Sequence, residues 1–251
     1  MNEHCDPTVE GPMTRIGKAM RARMSGLGMI MMVLAVCTTV RADKPTEADK
    51  QALEVAASVQ AFYDQVTGVQ AEFYQTYFHR LYDRYERSKG KVVFLKPGKM
   101  RWDYGQPNGK VIVSDGAKLL VFEPGGAGES PQLFERVMNQ ESLPAAFSFL
   151  TGTGRLEKNF SFRLLDAAKQ GYADGAVLEL RPLTPSPQYE RILFYVFKQA
   201  GQSTGVVRRV LIVDASGNRN RFDFSGMVWS PKIPANKFQF TAPAGTRRVT
   251  P

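Results

Sequence analysis

Few side chains in this sequence could perform covalent chemistry. Histidine occurs only at His4 and His79, and cysteine only at Cys5 and Cys37. A Ser–His–Asp triad in the body of the chain would have to use His79, which sits in an alternating stretch full of aromatics (Tyr74, Tyr77, Phe78, Tyr82). In that setting a strand or surface histidine is expected. Zinc sites draw on three or four His, Cys or acidic ligands, and no such cluster is written here. There is no G-x-G-x-x-G following a strand, no P-loop and no H-E-x-x-H. Gly125-Gly126-Ala127-Gly128 is not followed by an apolar helix and reads as a hairpin tip, not a phosphate cradle. Paired carboxylates for glycoside chemistry stay open, since acids are numerous. The balance favours binding over catalysis: no enzyme, no metal and no cofactor are expected.

The segment before these residues reads as an address. Arg15, Lys18, Arg21 and Arg23 precede the uncharged run Leu27 to Val40, and Val40-Arg41-Ala42 offers a small residue for cleavage. That is the pattern of a secretory signal peptide over residues 1–42, cut after Ala42. The run is too short for a comfortable membrane span. Residues 43–251 would then form one domain. Both cysteines fall in the leader, so the exported chain would carry no thiol and no disulfide. Removing the leader leaves 28 Lys and Arg against 21 Asp and Glu, a net charge of +7. The basic, aromatic stretch Tyr82 to Arg87 is broken by Asp83 and Glu86, and an exported protein rarely meets nucleic acid, so none is expected. The excess charge reads as solubility with mild attraction to anionic membranes. Leu34-Ala35-Val36-Cys37 partly resembles a lipobox, although Val36 is branched where a small residue is wanted. Lipidation at Cys37 would turn a soluble protein into an anchored one.

Next come the elements that position everything else. Thr46-Glu47-Ala48-Asp49 has capping-box spacing. Ala52, Val55, Ala56, Val59, Phe62, Tyr63 and Val66 form one apolar helical stripe, which Gly68 is expected to end. From Val69 the period switches to two. Strands are predicted near 69–80, 85–95, 100–104, 111–114, 118–123, 132–138, 160–165, 176–181, 191–198, 206–213 and 219–229, with Asp214 to Asn218 as a hairpin turn. Residues 191–197 are apolar on both faces, as in a strand covered on both sides. Ser142 and Pro144 open a short apolar helix containing Phe147 and Leu150, and one more helical turn is expected near Leu156. The fold class is mainly β with an α lid. We expect an incomplete, half-open antiparallel barrel of about eleven strands, covered by an N-terminal helix and one or two inserted helices. Lid and sheet either enclose an apolar cavity or pack fully, and periodicity alone does not separate the two.

The stretch Lys96-Pro97 … Arg101-Trp102-Asp103-Tyr104 … Pro107 … Ile112-Val113-Ser114-Asp115-Gly116 … Leu119 to Pro124 resembles the outer-membrane lipoprotein carrier family, LolA. Val69 to Gln75, Leu143 to Leu150, and Asp214 to Asn218 followed by Phe238 to Gly245 match the same family in order. The resemblance implies a periplasmic protein whose half-barrel and helical lid surround an apolar cavity for lipid chains. Its partners would be lipidated proteins as cargo, an inner-membrane lipoprotein-releasing ABC transporter and an outer-membrane lipoprotein acceptor, with the carrier itself a monomer. Val55, Val59, Phe62, Tyr63, Phe147 and Leu150 would form the lid. Met100 and Trp102 match cavity-facing positions, and Tyr104 follows two residues on. Many members have Arg where this chain has Lys96, and that position would latch the lid through lid carbonyls. Two alternatives remain open: an outer-membrane-anchored acceptor lipidated at Cys37, and a related periplasmic lipid-binding or sensory domain.

Overall fold

A computed structural model of the chain describes residues 46–126, 128–138, 150–152 and 154–249. The predicted leader, Cys37, and the inserted helix with Phe147 lie outside the described residues.

Helix α1 (Glu47–Gln65) begins as the sequence predicts. The Thr46 side chain accepts from Asp49 N at 3.2 Å, and the Asp49 carboxylate accepts from Thr46 N at 3.0 Å, closing the capping box. Ala52, Val55, Ala56, Val59 and Tyr63 are buried along one stripe. The helix stops at Gln65, with Val66 already extended, so Gly68 is not its terminator. Gly68 instead opens the first strand, where an added Cβ would lie 2.4 Å from the Phe94 carbonyl oxygen. Close strand approach, not helix capping, requires glycine there.

The strands are β1 (Gly68–His79), β2 (Arg84–Leu95), β3 (Lys99–Tyr104), β4 (Val111–Asp115), β5 (Lys118–Glu123), β6 (Gln132–Val137), β7 (Phe160–Leu165), β8 (Gly175–Pro182), β9 (Arg191–Gln199), β10 (Gln202–Val213), β11 (Arg219–Trp229) and β12 (Arg247–Val249). A single helical turn, α2 (Leu156–Asn159), precedes β7, and a 3₁₀ turn spans Ala235–Phe238. All twelve strands share one sheet, in the order β12-β6-β5-β4-β3-β2-β1-β11-β10-β9-β8-β7. Neighbours are antiparallel except β12, which pairs with β6 in parallel. Strands β7 and β12 stand at opposite edges, so the barrel is incomplete, with one strand more than the pattern predicts.

One face of the sheet, with α1 against β10 and β7, encloses the main core. The other face has its own cover in two places. On β8 and β9, Val177, Leu193 and Tyr195 pack with Leu165, Ala167, Tyr172 and Leu211, which explains why β9 is apolar on both faces. On β2 and β4, Val93 and Val113 are covered by Ile233, Phe238 and Phe240 of the C-terminal segment. Arg101 pins that segment by donating to the carbonyls of Lys237 and Gln239, each at 3.1 Å. Strand β10 begins four residues before the predicted Val206. Its register shifts twice around Val207, and Gly205 has φ +77°, so the alternation that marks a strand is broken there.

Candidate functional site

Alternation along β3 places Met100, Trp102 and Tyr104 on the inner face. Trp102 lies opposite Val92 on one side and Ile112 on the other. Met100 and Trp102 are 3% and 4% exposed, and Tyr104 is half-buried against the same cluster. The Trp102 ring meets Phe73, Phe222 and Phe94 at centroid distances of 5.0, 5.2 and 5.6 Å. Tyr104 packs on Phe73 at 4.9 Å, and burial pushes its phenol well above the ordinary range. A wall of five aromatic rings drawn from β1, β2, β3 and β11 therefore stands where β3 alone shows two. Phe73, Phe94 and Phe222 are the residues that sequence reasoning left out. Their signal was alternation within each strand; Phe73 and Phe94 reach Trp102 through the neighbouring β1–β2 and β2–β3 pairings, but the β1–β11 pairing that brings Phe222 there spans most of the chain.

Helix α1 closes this interior from above. Val55, Val59 and Tyr63 are buried, while Phe62 and Tyr63 meet Trp229 edge-on at 4.8 and 6.1 Å. The Tyr63 hydroxyl accepts from Val207 N at 3.4 Å, and burial raises its phenol strongly. Polar pins hold the rest of the helix. The Ser58 and Ser203 hydroxyls lie 2.7 Å apart, and the Gln60 side chain accepts from Leu156 N at 2.9 Å. Asp64 pairs with Arg155 at 3.3 Å. Leu150 is buried at the same interior.

Lys96 reaches the end of that helix. Its ammonium donates to the Tyr63 carbonyl, one of the last carbonyls of α1, which lack donors within the helix. The Lys96 stem runs beside Gly152, where an added Cβ would come within 2.9 Å of its Cδ. The next turn, Gly98, donates to the Thr151 carbonyl at 3.0 Å. Lys96 thus joins β2, the α1 terminus and residues 150–152 at one point. Desolvation pushes its pKa down, and the Asp64 carboxylate opposes that shift.

Among the described residues, the space beside Tyr63 is small. A cavity of about 10 Å³ remains, lined by Tyr63, Val69, Ala71, Val92, Phe94, Leu150, Val207, Val210, Phe224 and Met227. That is room for roughly one water molecule. Of the predicted site residues, Tyr63 and Leu150 border it. Val55, Val59, Phe62, Met100, Trp102 and Tyr104 belong to the same apolar interior but pack against neighbours. Among the described residues, α1 and the sheet are packed together. His79 is a strand histidine 3.3 Å from Glu86 and edge-on to Tyr77 at 4.4 Å. No group of three or more metal-binding side chains occurs among the described residues.

Comparison with known proteins gives a consistent picture. The family model described as "Outer membrane lipoprotein carrier protein LolA" matches residues 64–241. An outer-membrane lipoprotein carrier protein of Dechloromonas aromatica is 30% identical over 178 residues, covering 70% of this chain and 78% of the relative. Another, from Cupriavidus pinatubonensis, is 35% identical over 162 residues, covering 63% of this chain and 68% of the relative. Among solved structures, a LolA superfamily protein from Nitrosomonas europaea superposes with a TM-score of 0.42 at 15% identity, covering 75% of this chain and 97% of that one.

Proposed function

Because the chain belongs to the LolA family of outer-membrane lipoprotein carrier proteins, we propose that it is a periplasmic, non-enzymatic carrier for the acyl chains of lipidated proteins. It would accept them from a lipoprotein-releasing ABC transporter at the inner membrane and deliver them to an acceptor on the outer membrane. The observation that carries this reading is the apolar interior closed by α1, with Lys96 bonded to the end of that helix.

The energetics suit a carrier that must also let go. Covering about ten methylenes is worth roughly 8 kcal/mol at ~0.8 kcal/mol each. Lifting α1 frees Val55, Val59 and Tyr63, at a cost on the order of 5–9 kcal/mol by the same scale. The two quantities are of similar size, so the closed state acts as an internal competitor for its own cargo. Holding is possible, and so is transfer to an acceptor with a permanently open site. Met100, Trp102 and Tyr104 would line the opened cavity, with Phe147 and Leu150 belonging to the lid.

The test is purification from the periplasm followed by mass spectrometry of whatever travels with the protein. Lipidated proteins should co-purify, and the carrier itself should begin at Asp43 without lipid. Recovery without acylated protein, together with failure to release lipoproteins from inner-membrane vesicles, would sink the carrier reading. A diacylated Cys37 would instead mark the anchored acceptor.

A further inference from the structure

The interior explains one end of the β1–β2 hairpin and leaves the other end without a task. Strand β3 accompanies β2 only to Gly90, opposite Tyr104, and β11 follows β1 only to Phe78, opposite Arg219. β2 continues six residues past Gly90, and β1 one residue past Phe78, to a turn at residues 80–83, where Asp83 has φ +45°. About twelve residues of rise place this apex roughly 40 Å from Gly68 and the end of α1.

The apex is apolar where it should be polar. Leu81 is 85% exposed, Tyr82 73% and Tyr85 51%. Single exposed apolar residues are ordinary, but three around one turn form a patch. Cations surround it. Residues 80–91 carry Arg80, Arg84, Arg87, Lys89 and Lys91 against Asp83 and Glu86. Glu86 is engaged by Arg84 and His79. Arg87 lies over the Tyr85 ring at 5.7 Å and Arg219 over Phe78 at 4.5 Å, so guanidinium groups flank the aromatic tip.

We propose that this apex is a membrane-contact element for an anionic phospholipid surface. Leu81 and Tyr82 enter the boundary between headgroups and acyl chains, while Arg80, Arg84 and Arg87 meet the phosphates. Shape selects a bilayer over a protein partner. A convex tip needs a pocket on a rigid protein, whereas a fluid interface takes a wedge of any outline. Chemistry agrees, because tyrosine suits a boundary that is apolar on one side and wet on the other. Arginines near such a surface each strengthen attachment about fivefold. Nothing in this inference depends on what the interior binds.

The test is co-sedimentation of the full protein with vesicles of phosphatidylethanolamine and phosphatidylglycerol, against vesicles of phosphatidylcholine alone. Binding is expected to the first and not the second, and to weaken at high salt. L81S/Y82S should lower the partition coefficient at least tenfold, by loss of the apolar wedge. R80Q/R84Q/R87Q should lower it on the order of a hundredfold. Melting curves check that both variants remain folded. Wild-type protein that ignores phosphatidylglycerol overturns the proposal, as does binding that survives L81S/Y82S, because diffuse net charge would then be enough. Cross-linking of the apex to a protein without vesicle binding would also overturn it.

Discussion

The two ends of the β1–β2 hairpin use the same pair of strands in opposite ways. At the end beginning with Gly68 and finishing with Leu95, Val69, Ala71, Phe73, Val92 and Phe94 are all buried under α1 and beside Trp102. At the other end the same strands carry Tyr82, Tyr85 and Leu81 into solvent. Both ends are rich in aromatics. What separates them is cover: α1 and its neighbouring strands stop short of the apex, so alternation there no longer sorts inside from outside. Large side chains at one end hold the fold together, and at the other they contribute almost nothing to it.

Paired substitutions would break this contrast if it is wrong. Trp102→Glu places a carboxylate within an aromatic cluster and removes a buried indole, so unfolding in urea should lose at least about 4 kcal/mol. Tyr82→Glu, at the apex, should stay within about 0.5 kcal/mol of the parent chain. Equal losses would mean that the apex is packed after all. Trp102→Glu consequently tests the fold before it can test cargo. A second pair compares glycines. Gly205 has φ +77° beneath α1, where a Cβ would sit 2.3 Å from the Ser58 carbonyl oxygen and 2.7 Å from Phe62 Cβ. Gly226 has φ +56° with nothing nearby. Gly205→Ala should cost about 2–3 kcal/mol and speed amide exchange along α1, and Gly226→Ala about 1 kcal/mol from backbone strain alone.

The sequence made the covered end legible and the uncovered end only partly so. The Thr46–Asp49 capping box, the α1 stripe and most strand limits follow from local periods. The inner direction of Met100, Trp102 and Tyr104 follows from alternation once the face of β3 is known. Other features had no local signal. Strand β12 is three residues long and its pairing with β6 is parallel, so neither period nor turn chemistry announces it. Phe238 and Phe240 resemble the family's closing motif, yet their place on the outer face of β2 and β4 depends on tertiary contact. The start of β10 is hidden because its irregular register cancels the period of two. The aromatic wall was half visible for a related reason: Phe222 meets Trp102 only through the β1–β11 pairing, distant in sequence, while Phe73 and Phe94 depend on the register of neighbouring strands.

A pH series sharpens the contrast at the covered end. Burial raises the Tyr63 phenol above its ordinary value of 10.0. In the unfolded chain this group starts to lose its proton near that value, while the folded chain keeps it. The stabilisation is therefore complete below about pH 10 and lost as pH rises toward the folded value, at about 1.4 kcal/mol per pH unit for one such proton. Tyr63→Phe should flatten the alkaline limb of a stability profile by about that slope. A profile identical to that of the parent chain would show that the Tyr63 phenol is not held in the apolar interior.

A further small effect concerns the latch. Helix α1 has no basic residue in its last turn, so the negative end of its dipole and its Tyr63 carbonyl are served by Lys96, just beyond β2. A bond from a charged donor is worth about 1.5–3 kcal/mol, but desolvation of the ammonium offsets part of it. Lys96→Met keeps a stem against Gly152 and removes the donor. Its cost should be about 1 kcal/mol, concentrated in faster amide exchange over residues 60–65, with the apex unaffected. Lys96→Arg offers a planar fork to the same carbonyl and should restore protection. If Lys96→Met leaves exchange in the last turn of α1 unchanged, the Lys96–Tyr63 contact does not hold the lid. The covered end would then depend on packing alone, and lid opening would be set by Tyr63, Phe62 and Trp229 instead of by a charge.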